Sequence, residues 1–359
     1  MPTKLIAMIL SFLSFFAFWS PNAQPNNIPE TRSYVGEVPD KYGTWPTRDF
    51  EAGSAPLLWG GGLEFLFAAK GLFTGGSKNE SLLVLHKGKL VYENYAEGWD
   101  KDTPHNLYSV TKAVLSALVG IAIGEEKIRG ADQKVIEFYP DAVIAPGQEA
   151  KRDITIEHLL TMTSGFEDVW VENEEEGWWN AKDTGRAAFE LPLGSKPGTK
   201  YYYGYAGPHI LACALRRAVG VDLLEYANEK LFGPLGITGV EWWAEQDGNY
   251  VGATGMSMTP RDMLRFGYLY LNNGRWEDKQ TIPAQWVAVT PPKSKALQAY
   301  GYMFWNFPLS PFDRSFEANG AFGQYIEILP EWDTVIVRTG AQGPLDEFIM
   351  RIGNLLGLA

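Results

Sequence analysis

The run from Ser109 to Gly124 constrains this chain more than any other segment. Nearly every residue in it is apolar, so as a helix it has no face suited to water and must be enclosed by other elements. That predicts a buried central helix with structure packed around it. At its head lies Leu107-Tyr108-Ser109-Val110-Thr111-Lys112-Ala113-Val114-Leu115. Residues three apart on a helix share one face, one turn apart, so Ser109 and Lys112 should stand side by side. A serine hydroxyl is a poor nucleophile until a neighbouring base takes its proton. A lysine is such a base only when uncharged, and apolar surroundings work against its charge. The pair is a candidate for acyl transfer through a serine ester. No other serine in the chain has a lysine three residues on. The structural alternative is a chance pairing at the end of a core helix.

A chain of 359 residues can enclose such a helix, in one large domain or two smaller ones around a shared core. With 45% hydrophobic and 21% charged residues the composition is globular. A net charge of −12 argues against nucleic acid or an anionic membrane surface as partner.

Lys4 precedes an apolar stretch from Leu5 to Trp19, followed by Ser20-Pro21-Asn22-Ala23-Gln24. This is the order of a secretory signal, predicted over residues 1–23 and too short for a comfortable bilayer span. It predicts an exported protein, periplasmic or secreted, without a stable membrane anchor. Cys213 is the sole cysteine, which rules out an internal disulfide; in Ile210-Leu211-Ala212-Cys213-Ala214-Leu215 it reads as a buried, inert thiol. His86, His105, His158 and His209 are dispersed and show no ligand spacing, so no metal is expected.

Residues 24 to about 60 read as an extended, Pro-, Asn- and Gly-rich lead-in to a main domain over 61–359. Ser81–Leu85 and Leu90–Tyr95, around a Gly turn, read as a hairpin. Gly323–Leu329 and Thr334–Arg338, around Pro330–Asp333, read as a second. Helices are expected over Thr155–Met162, Gly207–Val219, Leu223–Leu231 and Pro260–Leu271, the last with Thr259 as cap and Pro260 in its first turn. Leu345–Leu358 reads as a closing amphipathic helix. The acidic run Glu172–Glu176 reads as a solvated loop. Strands at both ends with helices between predict an α/β (α+β) fold: one antiparallel sheet built from both termini and flanked by helices, with a helical subdomain over about 150–290.

With these landmarks placed, the chain resembles the serine β-lactamase and penicillin-binding-protein superfamily. Within it, the likeness is to class C β-lactamase-related esterases and nylon-oligomer (6-aminohexanoate-dimer) hydrolases. The resemblance runs from about Pro46 to the end and rests on several segments in order. Ile154-Thr155-Ile156-Glu157-His158-Leu159-Leu160-Thr161-Met162-Thr163-Ser164-Gly165-Phe166 looks like the family's structural helix and turn. There His158 is a packed histidine and Ser164 a turn residue. Met256-Ser257-Met258-Thr259-Pro260-Arg261-Asp262 looks like a second structural landmark.

The resemblance implies a β-lactamase-like fold and a catalytic tyrosine, placed at Tyr203 in Pro197-Gly198-Thr199-Lys200-Tyr201-Tyr202-Tyr203-Gly204-Tyr205. Beside a cationic Lys112 its phenol should be favoured as phenolate. Relatives with a Tyr-x-Asn pattern have an amide where this chain has Tyr205. On the late strand, Ala318-Asn319-Gly320 stands where β-lactamases have Lys-Thr-Gly, and here it carries no cation. The amides of Ser109 and Ala321 would form the oxyanion hole, and Tyr205, Gly320 and Gln324 would bind substrate. Gly320 would let substrate approach the backbone closely. Trp170, Trp178, Trp179 and Trp305 are candidates for an apolar rim. The expected activity is hydrolysis of small esters or linear amides, with no cofactor. The rivals are a β-lactamase or D-amino-acid peptidase acting on cell-wall peptides, and a silent wall-binding or sensor domain.

Overall fold

The computed structural model describes residues 30–33, 49–53, 79–167, 177–290, 300–306 and 314–340. The signal segment 1–23, the acidic run 172–176, Trp170 and the closing helix expected over 345–358 lie outside the described residues, as does most of the 24–60 lead-in. The strands are β1 (Glu30–Ser33), β2 (Ser81–His86), β3 (Lys89–Tyr95), β4 (His105–Asn106), β5 (Glu241–Ala244), β6 (Met256–Met258), β7 (Arg275–Trp276), β8 (Lys279–Gln280), β9 (Tyr300–Gly301), β10 (Phe304–Trp305), β11 (Phe316–Gly320), β12 (Gln324–Leu329) and β13 (Thr334–Thr339). The main helices are α1 (Val110–Gly124), α2 (Ile156–Leu160), α3 (Thr184–Glu190), α4 (Ala206–Val219), α5 (Leu223–Ala227), α6 (Pro260–Leu271) and α7 (Ala284–Val289).

Two hairpins from opposite ends of the chain make the centre of the main sheet. Lys87 and Gly88, both in the left-handed region at φ 50° and 74°, turn β2 into β3, as a two-residue hairpin requires. Pro330–Trp332 and Asp333 (φ 49°) turn β12 into β13. β13 then pairs antiparallel with β2, setting Ile336 opposite Val84 and Arg338 opposite Leu82. The full order is β3-β2-β13-β12-β11-β10-β9, and the pairings throughout are antiparallel. β12 and β13 are buried at every position, with Glu327 and Arg338 among the enclosed side chains.

Helix α1 is enclosed as its composition demands. Every residue from Val110 to Ala122 is buried, and the helix packs between α4 and the β11–β12 side of the sheet. A side chain at Gly120 would run into the Trp286 indole of α7, so glycine there admits the closer contact. Helix α6 begins as expected, with Thr259 accepting from the Asp262 amide and Pro260 in the first turn. Gly267 lets it lie on the sheet, since a Cβ there would stand 2.6 Å from Val335 and 2.7 Å from Ile326.

The region 150–290 holds helices α2 to α7 and the short strands β5 to β8. Helix α6 belongs to the sheet it packs on. β5 and β6 join β1 and β4 in a separate four-stranded sheet, ordered β1-β5-β6-β4. That small sheet matters for the site, because β4 runs directly into the head of α1.

Candidate active site

The head of α1 is fixed to the segment that ends in β6 by three hydrogen bonds. The Leu107 amide donates to the Met256 carbonyl (2.8 Å), the Met256 amide to Thr111 Oγ1 (3.2 Å), and Lys112 Nζ to the Ala253 carbonyl (2.7 Å). Thr111 and Lys112 point inward because α1 has no outward face, and both are buried. Lys112, only 1% exposed, also donates to Ser109 Oγ at 2.9 Å. The one-turn spacing thus brings hydroxyl and amine together as expected.

The tyrosine run is hung on the turn that follows α2. Gly198 donates to the Thr163 carbonyl and Tyr202 to that of Met162, each at 2.8 Å. Within that run, the Tyr203 phenol hydrogen-bonds with Ser109. Its ring centroid lies 4.8 Å from Lys112 Nζ. Tyr201 instead packs edge-on against Tyr300 (5.6 Å), and Tyr205 lies with its ring 5.4 Å from Lys112 Nζ. A π face therefore meets the amine where Tyr-x-Asn relatives have an amide.

The protonation of Tyr203 differs from expectation. Burial pushes its pKa up, and the hydrogen bond with Ser109 acts in the opposite direction. Desolvation disfavours the phenolate more than the site's polar contacts favour it, so Tyr203 rests as a neutral phenol. Burial likewise raises Tyr201 and Tyr300. The wall behind Tyr203 is aromatic: Tyr300 packs edge-on at 5.8 Å, and Trp305 lies tilted at 5.6 Å.

Strand β11 brings Gly320 against the head of α1. A Cβ on Gly320 would run into the Leu107 carbonyl and stand 3.3 Å from the Ser109 amide nitrogen. The expected reason for this glycine was close approach of substrate. The structure puts the backbone of Leu107 and Ser109 there. Gln324 Nε2 donates to the Phe322 carbonyl (3.2 Å), bracing the turn that contains Ala321. Asn319 donates to Glu317 (2.9 Å) on its own strand.

Of the remaining sequence candidates, Trp305 borders this chemistry and the others make contacts elsewhere. His158 takes part in a capping box, its Nδ1 accepting from the Thr155 amide at 3.2 Å. Burial raises the pKa of the Cys213 thiol, which is 1% exposed beside His209 and so inert. Trp178 lies 4.7 Å from the His209 ring and Trp179 edge-on to Trp178, while Trp305 borders Tyr203. Among the described residues no three His, Cys, Asp or Glu side chains gather as a metal site requires. The sequence reading missed Ala253, which acts through a backbone carbonyl and so leaves no side-chain signal. It also missed Tyr300, one aromatic among many.

Comparison with known proteins agrees with this fold. The beta-lactamase family model matches residues 68–350. A 6-aminohexanoate-dimer hydrolase from Paenarthrobacter ureafaciens is 25% identical over 282 residues, 72% of this chain and 71% of that enzyme. A monacolin J acid methylbutanoyltransferase from Aspergillus terreus is 29% identical over 164 residues, 40% of this chain and 39% of that one. Among solved structures, a family VIII carboxylesterase superposes with a TM-score of 0.66 at 16% identity, covering 85% of this chain and 98% of the other. With the enclosed helix, the two-ended sheet and this family match in hand, the chain belongs to the beta-lactamase family and is a hydrolase of that fold.

Proposed function

We propose that the protein is an exported serine hydrolase that cleaves small esters or linear amides through an acyl-enzyme on Ser109. The observation that carries this reading is the Ser109 hydroxyl, held by Lys112 Nζ at 2.9 Å and hydrogen-bonded with the Tyr203 phenol. Since Tyr203 rests protonated, it serves as the proton donor, and Lys112 in its uncharged form is the acceptor. Ser109 Oγ attacks the carbonyl carbon as its proton passes to Lys112. The carbonyl oxygen takes up the displaced electron pair and is held by the amides of Ser109 and Ala321. Collapse breaks the bond to the leaving group, which takes the Tyr203 proton, and Lys112 returns a proton to Tyr203. Water then attacks the serine ester by the same route and frees Ser109. General acid–base transfer of this kind contributes about 10²- to 10⁴-fold, and each oxyanion donor about 10²- to 10³-fold.

Asn319 in place of a strand cation, and Tyr205 in place of an amide, favour neutral linear substrates over β-lactams or cell-wall peptides, which present a carboxylate. The hydrolase and carboxylesterase likenesses support esters and amides as the class. A second reading, transfer of the acyl group to an alcohol, is favoured by the methylbutanoyltransferase relative. Lys4 and the apolar Leu5–Trp19 run support export, which N-terminal sequencing of the mature protein would check. Steady-state hydrolysis of p-nitrophenyl butyrate should be lost in Ser109→Ala. Equal rates in both proteins would remove the serine mechanism. An added short alcohol that diverts product from butyrate to butyrate ester would establish the transfer reading.

A further inference from the structure

Two aromatic residues flank the site's two proposed oxyanion donors, and both have a backbone conformation that aromatic residues rarely adopt. Tyr108, just before Ser109, has φ 46°, and Phe322, just after Ala321, has φ 59°. Residues with side chains hold such angles only where their surroundings impose them. The imposing contacts mirror each other. On the helix side, the Tyr108 amide donates to Asn106 Oδ1 at 2.9 Å. On the strand side, the Phe322 carbonyl accepts from Gln324 Nε2 at 3.2 Å, and Gln324 is 4% exposed. A carboxamide two residues away thus pins each backbone. The two rings then meet across the gap, their centroids 5.0 Å apart and tilted by 52°.

Gly320 sets the closest approach of the two backbones but cannot by itself stop them from separating. The ring contact acts in that opposite sense. We propose that Tyr108 and Phe322, pinned by Asn106 and Gln324, form a clasp that fixes the spacing of the Ser109 and Ala321 amides. Tyr108 and Phe322 are thus positioning residues for oxyanion stabilisation, a role that rests on the Ser109 reading above. An oxyanion hole is sensitive to such spacing because its donors must meet the oxygen of the tetrahedral intermediate, not that of the ground state. Loosening the clasp should therefore lower kcat and leave KM nearly unchanged.

Phe322→Gly is the informative variant, since glycine adopts φ near +60° without strain while removing the ring. With p-nitrophenyl butyrate it should lose about 10-fold or more in kcat with little change in KM, and Phe322→Tyr should restore wild-type kcat. Full kcat in Phe322→Gly would overturn the clasp while leaving the Ser109 reading intact. A second measurement needs no substrate: melting temperatures of Tyr108→Leu, Phe322→Leu and the double variant. Each single loss should include the shared contact, so the double loss should be smaller than their sum. Additive losses would overturn the clasp whether or not any ester is turned over. Failure of wild type to hydrolyse any ester would instead count against the Ser109 reading.

Discussion

On the helix side of the site, Lys112 is held by its hydrogen bond to the Ala253 carbonyl, and the head of α1 by the Leu107–Met256 hydrogen bond and by burial from Val110 to Ala122. On the strand side, Gly320 is held by the absence of a side chain, in van der Waals contact with the backbone at the head of α1. The first arrangement depends on groups that are present, the second on space that is kept free. Removing a group on the helix side should subtract one interaction and leave the backbone in place. Adding an atom on the strand side should displace the backbone itself, because close-packed interiors have no slack to absorb it.

The largest effects should come from the helix side. Ser109→Ala and Lys112→Ala should each lower ester turnover by at least about 10³-fold, with circular dichroism unchanged. Equal activity in Lys112→Ala would take the lysine out of the mechanism. Tyr203→Phe should follow at about 10²- to 10³-fold, whereas Tyr201→Phe, whose ring packs on Tyr300 away from Ser109, should change little. The opposite ranking would mean that a different tyrosine moves the proton. Because burial raises the Tyr203 pKa, the phenol keeps its proton where an exposed tyrosine would lose it, near pH 10. The plot of kcat/KM against pH should show no phenol-dependent fall there. A fall near pH 10 that vanishes in Tyr203→Phe would contradict a neutral, buried donor.

Gly320→Ala tests the strand side. Its methyl group would press on the Leu107 carbonyl and the Ser109 amide, so a loss of about 100-fold in kcat should come with a lower melting temperature. A fully active, equally stable variant would show that the two backbones have room to spare, and the contrast between the sides would disappear. The smallest effect marks the edge of the site. His158→Ala should cost about 1 kcal/mol of stability through loss of the capping box and leave turnover unchanged. A large loss of activity there would make His158 more than a cap.

The same contrast explains what could be read from residues alone. The enclosed helix, both hairpins and the Thr259–Pro260 helix start were legible, because periodicity, turn chemistry and capping are local. Ser109 and Lys112 were legible because a one-turn spacing converts directly into proximity. Tyr203 needed the family resemblance, since spacing cannot separate one tyrosine from its neighbours Tyr201, Tyr202 and Tyr205. Its protonation was read the wrong way round, because proximity to Lys112 is a pairwise effect while burial is a property of the whole fold. The intramolecular contacts of Gly320 and Gln324 were not legible for a similar reason. What faces them, the Leu107 carbonyl and the Phe322 carbonyl, is backbone and carries no signature in the sequence.

The most direct test is the intact mass of the mature protein, quenched within seconds of mixing with p-nitrophenyl butyrate, with Ser109→Ala beside it. The mechanism predicts an added butyryl mass on wild type only, mapped to the peptide carrying Ser109, while nitrophenol and butyrate continue to accumulate. The same adduct on Ser109→Ala, or sustained turnover by that variant, would contradict it.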